Sequence, residues 1–149
     1  MARTGMRALA VGITALAGAV ALVVEAGAAP SPVDEADAVC RSLREAVVAE
    51  VAPRAIGRRP PPPRELERSS RAFLPRGRRA HERLVAIAGT ADDPDLAALV
   101  EAYGTALDRL AQLVAAGAAG TLHQDVPLRG AITTTNARAL RAGTPDCVL

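Results

Sequence analysis

Few residues of this chain are of types that do chemistry on their own. There are two cysteines, Cys40 and Cys147, two histidines, His81 and His123, one tyrosine, Tyr103, and an acidic cluster, Asp92, Asp93 and Asp95. The cysteines stand 107 positions apart, so no Cys-x-x-Cys redox couple is formed. Neither histidine lies three or four residues from a cysteine, which removes a Cys/His metal set. Cys147 is third from the end, whereas prenylation needs a cysteine fourth from the end. What is left for the pair is one structural disulfide, which calls for an oxidising compartment. The acidic cluster "GTADDPD" lacks the spacing of a calcium loop, and capping of a helix start accounts for it. Tyr103, His81 and His123 are the available axial ligands for a haem. Tyr103 falls on an apolar helical face, His81 neighbours another, and His123 reads as loop.

No nucleophile elbow, paired-histidine zinc motif or glycine-rich phosphate loop is present. A secreted all-helical chorismate mutase would need an active-site lysine, and the chain has none; all 18 of its basic residues are Arg. The expectation is a protein that is not an enzyme and has no cofactor. A secreted helical enzyme and a carrier of an apolar ligand such as haem stand as alternatives.

The arginines are unevenly placed. Residues 54–83 hold ten Arg and three Glu, a net +7, while residues 29–53 and 84–149 each carry a net −3. At 100° per residue, Arg64, Arg68, Arg71, Arg78 and Arg79 project opposite the apolar face of their helix. Such a stripe suits anionic lipid headgroups or wall polymers, and an exported location makes nucleic acid the poorest candidate. A plain solvated face is the competing explanation, because the excess of Ala, Arg, Gly and Pro without Lys is what G+C-rich coding produces.

The elements that hold these residues follow from punctuation and periodicity. Residues 1–28 read as a secretory signal peptide: Arg3 and Arg7 precede the uncharged run Ala8 to Val24, and Ala26-Gly27-Ala28 offers small residues for cleavage. The alternative is an uncleaved anchor, for which 17 residues is the short limit. Either way residues 29–149 form one extracytoplasmic domain. Ser31-Pro32-Val33-Asp34 starts helix 1, whose inward face is Ala36, Cys40, Leu43, Val47 and Val51, widened by Val39 and Ala46. Pro60 to Pro63 form a stiff polyproline spacer. Helix 2 runs from about Pro63 to Ala88 on Leu66, Ser70, Phe73, Gly77, Ala80, Leu84 and Ile87, with Pro75 kinking or splitting it. Asp92 or Asp93 caps helix 3, the most amphipathic segment, which runs from Leu96 to Val114 and stops at Gly117 to Gly120. "TLHQDVPLRG" is ambiguous. If Asp125 caps there, helix 4 shows Leu128, Ile132, Thr135, Ala139 and Ala142, with Leu140 beside them, and stops at Gly143.

Four helices with short connections predict an all-α, antiparallel four-helix bundle. Helices 1 and 4 would then be neighbours, and the tail after helix 4 would meet Cys40. A staple there would tie helix 4, whose Thr133 to Thr135 have modest helix propensity, back to helix 1.

Cys40 within "ADAVCRSL" and the ending "NARALRAGTPDCVL" give the chain a resemblance to small exported actinobacterial proteins. These have a signal peptide, four short helices, and a Cys early in helix 1 with another near the end. The resemblance implies a secreted or cell-envelope protein and a disulfide joining helix 1 to the tail; it brings no catalytic residues. The expected function is a non-catalytic binding or structural module that contacts anionic envelope components through the Arg face.

Overall fold

The computed structural model describes residues 29–51 and 62–149. The signal-like segment 1–28 and the first half of the proline tract, Pro60 and Pro61, lie outside the described residues.

The chain forms four α-helices in sequence: α1 (Pro32–Val51), α2 (Pro63–Thr90), α3 (Pro94–Ala115) and α4 (Val126–Arg141). Each start is written in local chemistry. Ser31 and Asp34 form a reciprocal cap. The Asp34 N–H donates to Ser31 Oγ at 3.2 Å, and the Ser31 N–H and hydroxyl donate to Asp34 Oδ2 at 3.2 and 2.6 Å. Pro62 is extended as in polyproline II (φ −57°, ψ 149°), and Pro63 takes the first helical position, where its missing N–H costs nothing. Asp93, not Asp92, caps α3, accepting from the Asp95 and Leu96 N–H groups at 2.9 and 3.0 Å. Pro75 lies inside α2, which is one helix and is not split in two.

The two sharpest stops share one geometry. Gly117 and Gly143 have φ of +66° and +72°, a region that strains side-chain-bearing residues. At each, the next residue's N–H reaches back to the helix: Ala118 to the Leu113 carbonyl at 2.8 Å and Thr144 to the Ala139 carbonyl at 2.9 Å. The ambiguous "TLHQ" stretch, read as loop at His123, lies in a 3₁₀ segment, Ala119–Gln124. Asp125 then caps α4, accepting from the Leu128 N–H at 2.8 Å.

The helices pack as an all-α bundle in which each consecutive pair is in contact, and α3 with α4 is the most extensive pairing. Tyr103, Leu84, Leu96 and Leu99 are the largest fully buried apolar side chains. Among the described side chains, which leave out Val51, the apolar faces read from periodicity turn inward except at Ala46 and Leu140, which are exposed. The tail turn Pro145–Cys147 contacts both α1 and α4, whose own close backbone approaches are few.

The tail is held there by several groups. Cys40 and Cys147 form the disulfide, with Cα atoms 4.9 Å apart. Arg44 donates from Nη2 to the carbonyls of Pro145, Asp146 and Val148 at 3.3, 2.8 and 3.3 Å, and from Nη1 to Asp146 Oδ1 at 2.9 Å. Arg41 Nε binds Asp146 Oδ2 at 2.7 Å, and the Asp146 N–H donates to Asp37 Oδ1 at 2.8 Å. Asn136 on α4 accepts from the Leu149 N–H at 2.7 Å. The tail is therefore a strap from α4 across to α1.

Candidate ligand cavity and the Arg-rich face

A cavity of about 450 Å³ lies between the helices, within the range of small-molecule sites. α1 contributes Cys40, Leu43, Arg44, Val47 and Val48, and α2 contributes Leu66, Ser69, Ser70 and Phe73. α3 adds Tyr103, Ala106, Leu107 and Leu110, and α4 adds Leu128 and Ile132. Leu122 of the 3₁₀ segment and Asp146 to Leu149 of the strap complete the wall. These positions come from the later part of α1 and α3 and the earlier part of α2 and α4, so in an antiparallel order they share one end of the bundle.

The lining grades from inside to outside. Cys40, Leu43, Ser70, Tyr103, Ala106, Leu107, Leu128 and Cys147 are buried, whereas Val48 and Leu149 are about half exposed, at 53% and 49%. The rim is as aliphatic as the floor. The two charged lining residues, Arg44 and Asp146, neutralise each other at 2.9 Å. Arg41 beside it, then the desolvation that opposes it, set the Asp146 carboxyl, and the net effect holds it below its ordinary value. Few polar groups are left inside. Tyr103 lines the cavity, its hydroxyl is buried with no hydrogen-bond partner among the described residues, and burial pushes its pKa up to about 12.

The three residues singled out as haem ligands do not converge on the cavity. The His81 ring stacks on Tyr103, with centroids 6.1 Å apart and planes 11° from parallel. Its Nε2 donates to the Val100 carbonyl at 3.0 Å, since a carbonyl only accepts. A Cβ at Gly104 would come within 2.9 Å of that nitrogen, so the glycine lets the imidazole lie against α3. His81 does not line the cavity. His123 is exposed and stands 3.2 Å from the side-chain amide of Gln124. Asp92, Asp93 and Asp95 stay at the α3 cap, and among the described residues no three His, Cys, Asp or Glu converge on a metal position.

Arg64, Arg68, Arg71, Arg78 and Arg79 are all exposed on α2. Arg71 binds Glu67 one turn away at 2.7 Å. They lie on the side of α2 opposite Leu66, Ser70 and Phe73, so the helix separates the stripe from the cavity. Sequence reasoning had no signal for the cavity itself. Its lining carries the same hydrophobic period as a filled core.

Comparison with protein-family models, with curated proteins and with solved structures finds no match to this chain. Among the described residues no helix is long and apolar enough to cross a membrane. The disulfide, with no free cysteine beside it, is the mark of an oxidising environment.

Proposed function

We propose that the protein is a non-catalytic carrier that holds a neutral, largely hydrocarbon small molecule in the cavity at the α1/α3 C-terminal end of the bundle. The observation that carries this is the lining. It is a cavity of about 450 Å³ walled by aliphatic and aromatic side chains, with its one charged pair internally neutralised. A charged group placed inside would lack a counter-ion, and burying an unpaired charge is costly. An apolar molecule loses nothing there and is removed from water. At about 30 Å³ per water-sized group, the space holds about 15 carbon-sized groups.

The exported, envelope-associated setting belongs to the same proposal. Its supports are the signal-like segment 1–28, the disulfide, and the likeness to small exported actinobacterial proteins with a helix 1–tail crosslink. Haem is a poorer occupant, because Tyr103 is the only one of its three candidate ligands that lines the cavity.

The test is titration with a neutral fluorescent probe such as N-phenylnaphthylamine, on the parent and on Ala106→Phe and Ser69→Phe. Both substitutions place a ring in the cavity, Ala106 at its floor and Ser69 on its partly exposed α2 wall. Parent binding with at least tenfold weakening in a variant that keeps its helical circular dichroism supports the proposal. No binding by the parent, or unchanged affinity in both folded variants, rejects it.

A further inference from the structure

The Arg stripe is not used by the cavity. Within α2, the buried residues Ser70, Gly77, Ala80, Leu84 and Ile87 fix the helix's rotation and keep Arg64, Arg68, Arg71, Arg78 and Arg79 outward. From Arg64 to Arg79 the stripe runs about 22 Å along the helix axis, at 1.5 Å per residue. Among the described residues, Arg64, Arg68, Arg78 and Arg79 hold no ion pair, and Arg71 is bound by Glu67 at the stripe's edge. Glu82 is the first exposed acid beyond it on the same face. Residues 29–53 and 84–149 are each net −3, so the rest of the molecule is acidic. A charge distribution of this kind orients a molecule as well as attracting it: an anionic plane draws in the α2 face and repels the others.

We propose that this face of α2 docks the protein on an anionic lipid bilayer. The choice of a bilayer over a linear polyanion rests on the carrier reading, because the neutral apolar ligand of the cavity partitions into bilayers and has to be collected there or delivered there. The docking face and the cavity lie on opposite sides of α2, so docking through the stripe does not occupy the cavity. Guanidinium groups bind phosphate through paired N–H donors, which suits phospholipid headgroups.

Vesicle flotation of the oxidised protein, recovered in its exported form, tests the proposal. Neutral phosphatidylcholine vesicles supply the baseline, including anything contributed by the N-terminal apolar segment, and vesicles with phosphatidylglycerol supply the signal. Each Arg near an anionic surface is worth about fivefold, the equivalent of ~1 kcal/mol. Arg64→Gln with Arg68→Gln, and separately Arg78→Gln with Arg79→Gln, should each weaken binding about 25-fold. Arg129→Gln with Arg138→Gln on α4 removes the same charge and should change it less than threefold. Raising salt from ~0.1 to ~1 M, which shortens the screening length from about 10 to about 3 Å, should abolish binding. The proposal is overturned if anionic vesicles bind no better than neutral ones or if the α4 variant loses as much as the α2 variants. It is also overturned if soluble polyphosphate binds with the same Arg dependence while vesicles do not. Probe binding without vesicles is read separately: a parent that docks but takes no probe upholds this face and rejects the carrier.

Discussion

Replacing both Cys40 and Cys147 by Ser opens a loop closed across 107 positions. In the chain-entropy description that release costs about 4.7 kcal/mol, set against a net stability of about 5–15 kcal/mol for a domain of this kind. With about 4 °C per kcal/mol at this size, the melting temperature should fall by roughly 15–20 °C. The structure also says where the loosening shows first. α4 keeps its extensive packing on α3, whereas α1 has α2 and the strap as its main partners. Arg41, Arg44 and Asp37 still hold Asp146 in the variant, but the two arginine ion pairs are exposed and therefore weak anchors, and the Asp37 hydrogen bond is only partly buried. Limited proteolysis should therefore cut α1 before α4, the reverse of the outcome expected if the staple served chiefly to hold helix 4. Thermal melting followed by circular dichroism, with mass spectrometry of early cleavage products, measures both effects. A variant that melts with the parent would refute the clamp. Cleavage in α4 ahead of α1 would refute the assignment of α1 as the dependent helix.

Glycine substitutions should divide by space. A Cβ at Gly130, exposed in α4, meets nothing within 4 Å, and Gly130→Ala should raise stability by ~0.5–1 kcal/mol in a denaturant titration. A Cβ at Gly120 would sit 2.8 Å from the Pro63 carbonyl oxygen, which is backbone, so Gly120→Ala should cost about 1–3 kcal/mol. Asp125→Ala removes the α4 cap and leaves Arg109 without its carboxylate, and should lose at least the ~0.5–2 kcal/mol typical of a cap. Acid should weaken the fold through three carboxyls, of which Asp34 is held low by its hydrogen bonds from Ser31. Arg109 is the main cause holding Asp125 below its ordinary 3.8, and Arg41 the main cause for Asp146. A lowered folded pKa means the stabilisation is complete above 3.8 and is lost as pH falls below it through the folded value. Melting temperature against pH should therefore drop less steeply below pH 3.8 in Asp146→Asn than in the parent, and equal slopes would count against the Asp146 contribution.

Much of the fold was legible because its signals are local. Ser31 with Asp34, Asp93 before Pro94, and Asp125 before Pro127 are caps that satisfy helix-end N–H groups within three residues, and Gly117 and Gly143 end helices by their own backbone freedom. Choosing Asp93 over Asp92 needed the backbone geometry, and so did the 3₁₀ segment, whose TLHQ sequence carries no periodic face. The Arg stripe was readable for the same reason as the helices: a 3.6-residue period places side chains around an axis without knowledge of the neighbours.

The sequence by itself determined four helices, their inward faces, the outward Arg stripe and two cysteines suited to one crosslink. Only the tertiary structure decided that the tail turn contacts both α1 and α4. It also decided that Val47, Leu66, Leu110 and Ile132 line a cavity instead of a filled core. The physical reason is that periodicity fixes the direction of a side chain, whereas filling depends on the distance between helices against the summed volume of what points between them. With Ala, Val and Leu supplying most of its apolar side chains, and one Phe and one Tyr, this chain places small groups between its helices.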